Sequence, residues 1–352
     1  MTSLEFELNS NFIFQKCYGG AESPLELAVA MKLLPEEFLD YRQKYFVTWD
    51  IESLEEKPGP DGDSIVEALQ NVVSISVSSN LPVEDQYFVR KSSESTAAVE
   101  LIKSFIDHLF KLEEKFQELI PQEIKQAIST LNEKIFSSQF SKHQLKQKSV
   151  LHYLKSCLTL PCYGFNSAKY DIPCIIGLIF NYCEANDCDL DLIKRGSSYM
   201  ALTLTRKLDE RKSSITFRDT LNYTSPCRLS KYLKQWGAKL EKSIFPYSYY
   251  SSVEELQAAL EFPPYEAFFS DLTQSNVDFA EYESAKQEFE RRKALPVNHP
   301  DHMKSMLCWL KYYNCLDTAP LVQAMENSFD KFAFYFKVDP NMHLSLPSLA
   351  FK

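Results

Sequence analysis

Glycine is scarce in this chain, with 8 among 352 residues. No GxGxxG and no GxxxxGK segment occurs in the sequence, so neither a dinucleotide-binding fold nor a P-loop is expected. The nine cysteines include no CxxC pair and no paired zinc spacing. Their scatter argues against a disulfide framework and indicates reduced thiols in an intracellular, reducing compartment.

Long hydrophobic runs and an excess of basic residues are also missing. The longest strongly apolar uncharged run, residues 172–183, is too short to cross a bilayer. The amino terminus carries acidic residues where a signal peptide would be basic and then apolar. We therefore expect a soluble protein with no membrane partner. Because the formal net charge is −10, nucleic acid would have to be bound through a local basic groove and metal ions.

The pattern of apolar residues predicts strands first and helices later. Strands are expected at residues 44–54, 72–77 and 86–89 as a β-meander, and at 160–165, 199–205 and 214–217. Helical spacing predicts helices on both sides of Pro121, a third from about residue 145, and others at 172–184, 229–236, 278–293 and 302–336. This order favours an α/β (α+β) fold with a mixed central sheet flanked by helices.

The same pattern suggests how the chain is divided. Residues 1–43 are expected to form a lead-in, and residues 44–336 to form the main domain. About 96–150 would be a helical insertion in that domain, followed by a helix that packs on the sheet. The segment 241–300 is rich in Tyr, Phe and Pro and is predicted to be largely irregular.

Two acidic residues lie near the end of the first predicted strand, in the stretch FVTWDIESLE. Asp50 and Glu52 are two residues apart, so their side chains point to the same face of a strand. Their negative charges repel each other unless the pair faces open water or a cation lies between the groups. Taken alone, the pair is more simply interpreted as a solvated strand edge, so a cation site requires partners elsewhere in the chain.

Two further segments supply such partners. In GFNSAKYDIP, Asp171 lies where a strand gives way to a helix, and in WLKYYNCLDTAPL, Tyr313 and Asp317 share one face of the last helix. Each alone has a simpler interpretation, as a helix N-terminal acid or as a surface pair. Together with the first pair they give four carboxylates on three elements. That donor set suits two Mg²⁺ or Mn²⁺ ions acting on a phosphodiester, with Tyr313 orienting the water.

The three segments in this order resemble the 3′–5′ exonuclease domain of family B DNA polymerases. DIE is similar to its first exonuclease motif, NSAKYD to the second and YNCLD to the third, in the branch that has tyrosine in the last motif. The stretches FRDTLNYTSPCRLSKYLKQWG, EKSIFPYSYYSSVEEL, FPPYEAFFSDL and SLPSLAFK resemble the protein-primed group of viral or Maverick/Polinton type. The resemblance covers about residues 40–352 and implies a ribonuclease H-like exonuclease fold.

The resemblance also implies roles for single residues. Asp50, Glu52, Asp171 and Asp317 would bind the two divalent cations, and Tyr313 would position the nucleophile. Lys242 would act near the scissile phosphate, although a solvated surface lysine is the simpler interpretation of that residue. The residues implied to contact the single-stranded 3′ end are Ser53, Asn166, Tyr170, Thr220 and Leu221.

The function implied by the resemblance is DNA hydrolysis within a replicative enzyme. The chain would be the N-terminal 3′–5′ proofreading portion of a protein-primed DNA-directed DNA polymerase, acting on the 3′ end of single-stranded DNA. The polymerase motifs DxxSLYPS, KxxxNSxYG and DTD do not occur. Residues 337–352 are therefore expected to begin a linker to a polymerase portion of a parent protein, which would also engage a terminal priming protein.

Two alternative functions stay open at this point. The chain would be a catalytically lapsed DNA- or protein-binding module derived from such a polymerase if the carboxylates no longer bind metal. It would be an RNA-trimming exonuclease if the same metal chemistry acts on RNA, because that chemistry is indifferent to the sugar.

Overall fold

The computed structural model describes residues 23–56, 69–137, 142–209, 211–239, 243–270 and 273–350. The strands are β1 (Val47–Glu56), β2 (Leu69–Ser79), β3 (Gln86–Val89), β4 (Leu160–Gly164), β5 (Cys188–Arg195), β6 (Ser198–Lys207) and β7 (Lys212–Asp219). The α-helices are α1 (Pro24–Ala30), α2 (Ser95–Leu119), α3 (Gln122–Ser137), α4 (Lys142–Ser156), α5 (Asp171–Ala185), α6 (Leu229–Gln235), α7 (Val253–Ala258), α8 (Phe279–Lys293), α9 (Met306–Phe336) and α10 (Leu346–Ala350). The predicted α/β class with a helix-flanked mixed sheet is confirmed.

All seven strands belong to one mixed sheet with the order β3-β2-β1-β4-β7-β6-β5. β1, β2 and β3 pair antiparallel, which confirms the predicted meander. β4 runs parallel to both β1 and β7, and β6 and β5 complete an antiparallel edge. The pairing of β1 with β4 covers only Val47 with Cys162 and Thr48 with Tyr163. The two strands therefore separate just before Asp50, which leaves room for a site between their carboxyl ends.

One face of the sheet is covered by apolar helices. Phe105 of α2 packs on Trp49 and Phe217, with ring centroids 5.8 and 6.0 Å apart, and all three residues are buried. α2 contacts β2, β3 and β7, whereas α4 lies against α1 and α3. α5 follows the predicted helical insertion and contacts β2 and β5, and α2, the first helix of that insertion, packs on the sheet as well. The reason is the apolar stripe of α2, which continues over 25 residues.

α9 lies on the opposite face of β1 and β2, and this contact is polar. Thr48 Oγ1 donates to the backbone carbonyl of Thr318 at 2.9 Å, and Ser76 Oγ donates to that of Asn314 at 3.0 Å. Both hydroxyl residues are buried. Small side chains allow α9 to approach the sheet closely, and their hydrogen bonds fix its position over the strand that carries the acidic pair.

The segment between β7 and α9 is built around Trp309. Its indole Nε1 donates to the carbonyl of Ile244 at 2.9 Å, and its ring contacts Phe262 and Phe289 at centroid distances of 5.4 and 5.9 Å. This aromatic cluster binds the irregular segment to α9. As a result, Tyr247 is placed beside β1 rather than on a separate surface.

Several elements differ from the predictions. β5 was not predicted, because its sequence CDLDLIKR mixes charged and apolar residues, as is typical of an exposed edge strand. α7 lies in the stretch predicted to be irregular, and α9 begins at Met306 rather than at residue 302. Among the helices of the described ranges, none has the length and apolar character needed to cross a membrane.

The segments on both sides of the main domain contact it. Leu25 and Phe38 of the predicted lead-in belong to the same hydrophobic core as the sheet. Asn341, which follows α9, accepts a hydrogen bond from the hydroxyl of Tyr163 at its Oδ1 (2.8 Å) and one from Arg218 at its backbone carbonyl (2.7 Å). The packing of residues 338–343 therefore continues past the predicted domain end at residue 336.

Candidate metal centre

Three predicted acidic residues converge where β1 faces α9. Carboxylate oxygens of Asp50, Glu52 and Asp317 all lie within 4.8 Å of one another. Glu52 is buried, and the other two are half-buried. Oxygens that bind one octahedral Mg²⁺ at about 2.1 Å are separated by at most about 4.2 Å. The carboxylate oxygens of this acidic triad therefore need to move only slightly closer together to bind one ion.

Asp171 is buried next to the triad, at the first residue of α5. The backbone N–H groups of Asp171 itself and of Ile51 on β1 lie near its carboxylate and lower its pKa. Its charge raises the pKa of Asp50 more than the charges of Asp317 and Glu52 do. Asp171 is thus the fourth carboxylate of the site, adjoining Asp50, although it is not part of the triad.

Burial makes all four carboxylates unusually basic, and repulsion by neighbouring carboxylates adds to this for Asp50, Glu52 and Asp171. Burial is the largest cause in each case, and it raises the pKa of Glu52 to about 8, that of Asp171 to about 7 and that of Asp317 to about 6. For Asp50, burial followed by the charges of the other three carboxylates raises the pKa well above its usual range. A hard divalent cation would relieve this repulsion and would find only oxygen donors, so the residues fit Mg²⁺ or Mn²⁺.

Two residues that the motifs did not single out contact the triad. Asn314, completely buried on α9, donates through Nδ2 to Asp50 Oδ2 at 2.9 Å and to Glu52 Oε1 at 3.4 Å. Tyr247 donates its hydroxyl to Glu52 Oε2 at 2.5 Å, although 39% of the residue is exposed. The signal for Asn314 was its position three residues before Asp317, on the same helical face. No local pattern connects Tyr247 with β1.

Tyr313 lies beside the triad and packs against Tyr247. Its ring centroid is 6.1 Å from that of Tyr247 and 5.9 Å from that of Phe245. Burial, followed by the charges of Glu52 and Asp317, raises the pKa of Tyr313. Its hydroxyl therefore stays protonated.

A cavity of about 360 Å³ opens where β1 and β4 separate. Two carboxylates line it, Asp50 and Asp317, together with the ring of Phe165, the amide residue Asn166 and the exposed cation Arg228. The candidate metal centre thus opens into a cleft that combines negative charge, an aromatic surface and a positive charge.

The turn between β4 and α5 is held by Asp219, the last residue of β7. Its buried carboxylate accepts from the backbone N–H of Asn166 at 2.9 Å and from that of Ala168 at 3.1 Å. Asn166 has a φ of 62°, in the left-handed region that asparagine tolerates. A Cβ on Gly164 would lie 2.5 Å from the Cβ of Ser167, so glycine is required there. These features place Asn166 at the cleft.

Besides Asn166, three other residues predicted to contact DNA are exposed or half-buried. Tyr170 is 66% exposed, immediately before Asp171. Ser53 is half-buried at a bulge in β1 and donates to Gln70 Oε1 at 2.8 Å. Leu221 is also half-buried, next to the turn that Asp219 holds.

Two other predicted site residues, Thr220 and Lys242, are not seen to be accessible. Thr220 is completely buried, and its hydroxyl faces Met325 Sδ at 3.7 Å. The predicted direct contact of Thr220 with DNA therefore does not fit this conformation, because the core of the protein encloses the side chain. Lys242 lies outside the described residues.

No protein-family model, no curated protein and no solved structure matches this chain. The interpretation of the candidate metal centre therefore depends on its own residues and on the cleft beside them.

Proposed function

We propose that the chain is a metal-dependent 3′–5′ exonuclease of ribonuclease H-like fold that acts on the 3′ end of single-stranded DNA. In a parent protein it would be the proofreading portion of a protein-primed family B DNA polymerase. The observation that carries the proposal is the approach of Asp50, Glu52 and Asp317 to within 4.8 Å, with Asp171 adjoining. These residues come from three distant motifs in the order that the exonuclease resemblance requires.

Bound Mg²⁺ or Mn²⁺ would supply Lewis-acid activation of the phosphodiester and of the attacking water. The acidic triad would bind one ion, and Asp171 together with Asp50 would bind a second. Because the carboxylates have raised pKa values, ion binding would release protons. Tyr313, which stays protonated, would donate a hydrogen bond to the attacking water.

The cleft would receive the terminal nucleotide. Phe165 lines the cavity and Tyr170 is exposed beside Asp171, and such rings provide surfaces on which a base can stack. Asn166 would form hydrogen bonds with this nucleotide, as donor or as acceptor. Arg228 would contact a backbone phosphate, which the acidic triad by itself would repel.

The test is the release of nucleotides from 3′-labelled single-stranded DNA in the presence of Mg²⁺ or Mn²⁺. Asp50→Ala and Asp317→Ala should each be at least about 100-fold slower, because losing a ligand costs more than losing a ligand's hydrogen-bond partner. Asp330→Ala is the matched control, since Asp330 is an exposed acid on the same helix that pairs with Arg42 at 3.2 Å. Equal rates for wild type and Asp50→Ala would contradict the proposal.

The same assay separates the alternatives. Faster digestion of a 3′-labelled RNA than of a DNA with the same sequence would indicate the RNA-trimming function. Binding of DNA without Mn²⁺ binding and without release of label would indicate the lapsed binding module.

A further inference from the structure

Packing alone does not explain why residue 314 has an amide side chain. The side chain is completely buried, and its Nδ2 bridges Asp50 and Glu52. An ionised carboxylate, the form that binds a cation, only accepts hydrogen bonds, so the amide nitrogen and not the amide oxygen suits the pair. Oδ1 is then buried and has no hydrogen-bond partner within the described part of the chain. Because an unpaired buried oxygen is destabilising, leucine would fill the same space at lower cost.

The two amide hydrogen bonds act on the groups that would face an ion. Asp50 and Glu52 repel each other on one strand, and the bonds from Asn314 lower the pKa of both. The second oxygen of Glu52 is held by Tyr247. Each accepting oxygen keeps a further lone pair with which it can bind a cation. The bridge therefore orders the ligands without using up their capacity to coordinate.

Asn314 is itself fixed by the fold. Its backbone carbonyl accepts a hydrogen bond from Ser76 Oγ at 3.0 Å, on the strand next to β1. It precedes Asp317 by three residues on α9, so one helical turn supplies both the bridge and the third member of the acidic triad. A displacement of this turn would move both together.

We propose that Asn314 is a positioning residue of the metal centre, whose amide holds Asp50 and Glu52 at the separation at which an incoming Mg²⁺ or Mn²⁺ meets them. This inference rests on the proposed function, since it requires that the triad binds metal. Asn314 lowers the cost of keeping two like charges together before the ion arrives. It also leaves fewer side-chain rotations to be ordered on binding.

The experiment is isothermal titration calorimetry of Mn²⁺ into the full chain. Asn314→Leu keeps the shape and removes both donors, and it should bind Mn²⁺ about 10- to 100-fold more weakly, the usual effect of losing a hydrogen-bond partner of a metal ligand. Exonuclease activity of the variant should fall at low Mn²⁺ and recover at saturating Mn²⁺. A residue that only fills space would change neither the affinity nor this dependence on Mn²⁺ concentration.

The matched control is Asn327→Leu on the same helix. Asn327 donates to the carbonyl of Trp236 at 2.8 Å, away from the carboxylates, so this variant should bind Mn²⁺ like the wild type. Asn314→Ala is measured in parallel, and circular dichroism verifies the fold of each variant. The Ala variant removes the same donors without filling the space, so the test does not depend on leucine being accommodated.

The outcomes separate this inference from the proposed function. Wild-type Mn²⁺ affinity in a folded Asn314→Leu or Asn314→Ala would overturn the positioning role alone, provided that Asp50→Ala still loses Mn²⁺ binding. No Mn²⁺ binding by the wild-type chain would overturn both.

Discussion

The hydroxyl of Tyr247 donates a hydrogen bond to Glu52 Oε2 at 2.5 Å, across 195 residues of sequence. Tyr247 also contacts Phe245 and Tyr313, with ring centroids 5.1 and 6.1 Å away. A half-exposed aromatic side chain therefore covers a buried carboxylate of the candidate metal centre. The centre is completed by a fourth segment of the chain, in addition to the three that carry the acidic residues.

Replacing Tyr247 with phenylalanine should weaken the site while keeping the ring contacts. Glu52 would lose one of its two hydrogen-bond donors, and a hydrogen bond to a charged group contributes about 1.5–3 kcal/mol. We expect Tyr247→Phe to lower the exonuclease rate about tenfold or more, measured with 3′-labelled single-stranded DNA. Tyr249→Phe, at an exposed tyrosine two residues later, should leave the rate unchanged. An unchanged rate for Tyr247→Phe would show that this hydrogen bond has no part in catalysis.

Removing Asp171 should change the number of bound ions. Asp171 adjoins Asp50 but is not part of the acidic triad, so Asp171→Asn should retain one Mn²⁺ and lose a second. Asp50→Asn should lose both, because Asp50 belongs to the triad and also adjoins Asp171. Calorimetric stoichiometry measures this directly. The same number of ions in wild type and Asp171→Asn would contradict the division of the four carboxylates into a triad and a fourth group.

The stability of the metal-free protein should fall as the pH rises. The buried carboxylates have ordinary pKa values near 4 when unfolded, but in the folded chain that of Asp317 is about 6, that of Asp171 about 7 and that of Glu52 about 8. The folded state therefore binds more protons than the unfolded state between about pH 4 and 8, and the free energy of unfolding decreases across that window. Urea unfolding in the presence of a chelator measures the slope.

A neutral residue at position 52 tests the cause of that slope. Glu52→Gln should flatten it and raise the free energy of unfolding at pH 8 by about 1 kcal/mol or more, because one buried charge is gone. Glu118→Gln, at an exposed position on α2, should leave the slope unchanged. Addition of Mn²⁺ at pH 8 should stabilise the wild type and have a smaller effect on Glu52→Gln.

Reversing the charge at Arg228 should weaken the binding of DNA. Arg228 is exposed and lines the same cavity as Asp50 and Asp317, so a glutamate there would add repulsion to an already acidic cleft. We expect Arg228→Glu to bind single-stranded DNA at least about tenfold more weakly at low salt, with a smaller difference at high salt. Fluorescence anisotropy of labelled single-stranded DNA, with Ca²⁺ in place of Mg²⁺ or Mn²⁺, measures this affinity.

The control for Arg228→Glu carries the same charge change elsewhere. Lys212 is exposed at the start of β7, at the opposite end of that strand from Asp219. Lys212→Glu should therefore have only a small effect on binding. If the two variants weakened binding equally, the effect would come from net charge and not from the cleft.

Local sequence patterns were enough to predict the strands and helices that carry the carboxylates. Asp50 and Glu52 share a face of β1 because side chains alternate along a strand. Asp317 shares a face of α9 with residues one turn before it. The predicted β3 has the bounds seen in the structure, the predicted α8 differs by one residue at its start, and the predicted α5 differs by one residue at each end. These features depend on neighbours within a few residues, which a single sequence displays.

Other contacts could not be predicted, because the partners are remote in sequence and have no local signature. Asp219 directly precedes Thr220 and Leu221, which were predicted to contact DNA, yet its carboxylate holds the turn that places Asn166. Thr220 was predicted to contact DNA, but tertiary packing encloses it against Met325. Whether a side chain next to a motif faces the cleft or the core depends on how α9 crosses the sheet.

The amino-acid sequence by itself determined which side chains are acidic, which of them share a face of one element, and where strands and helices carry them. Only the tertiary structure decided that β1 and β4 separate at Asp50, that α9 brings Asp317 to within 4.8 Å of the pair, and that Asn314 and Tyr247 bind the same carboxylates. The physical reason is that side-chain alternation and helical spacing act over a few residues. The close approach of like charges has to be imposed by the packing of whole elements, whose burial offsets the repulsion.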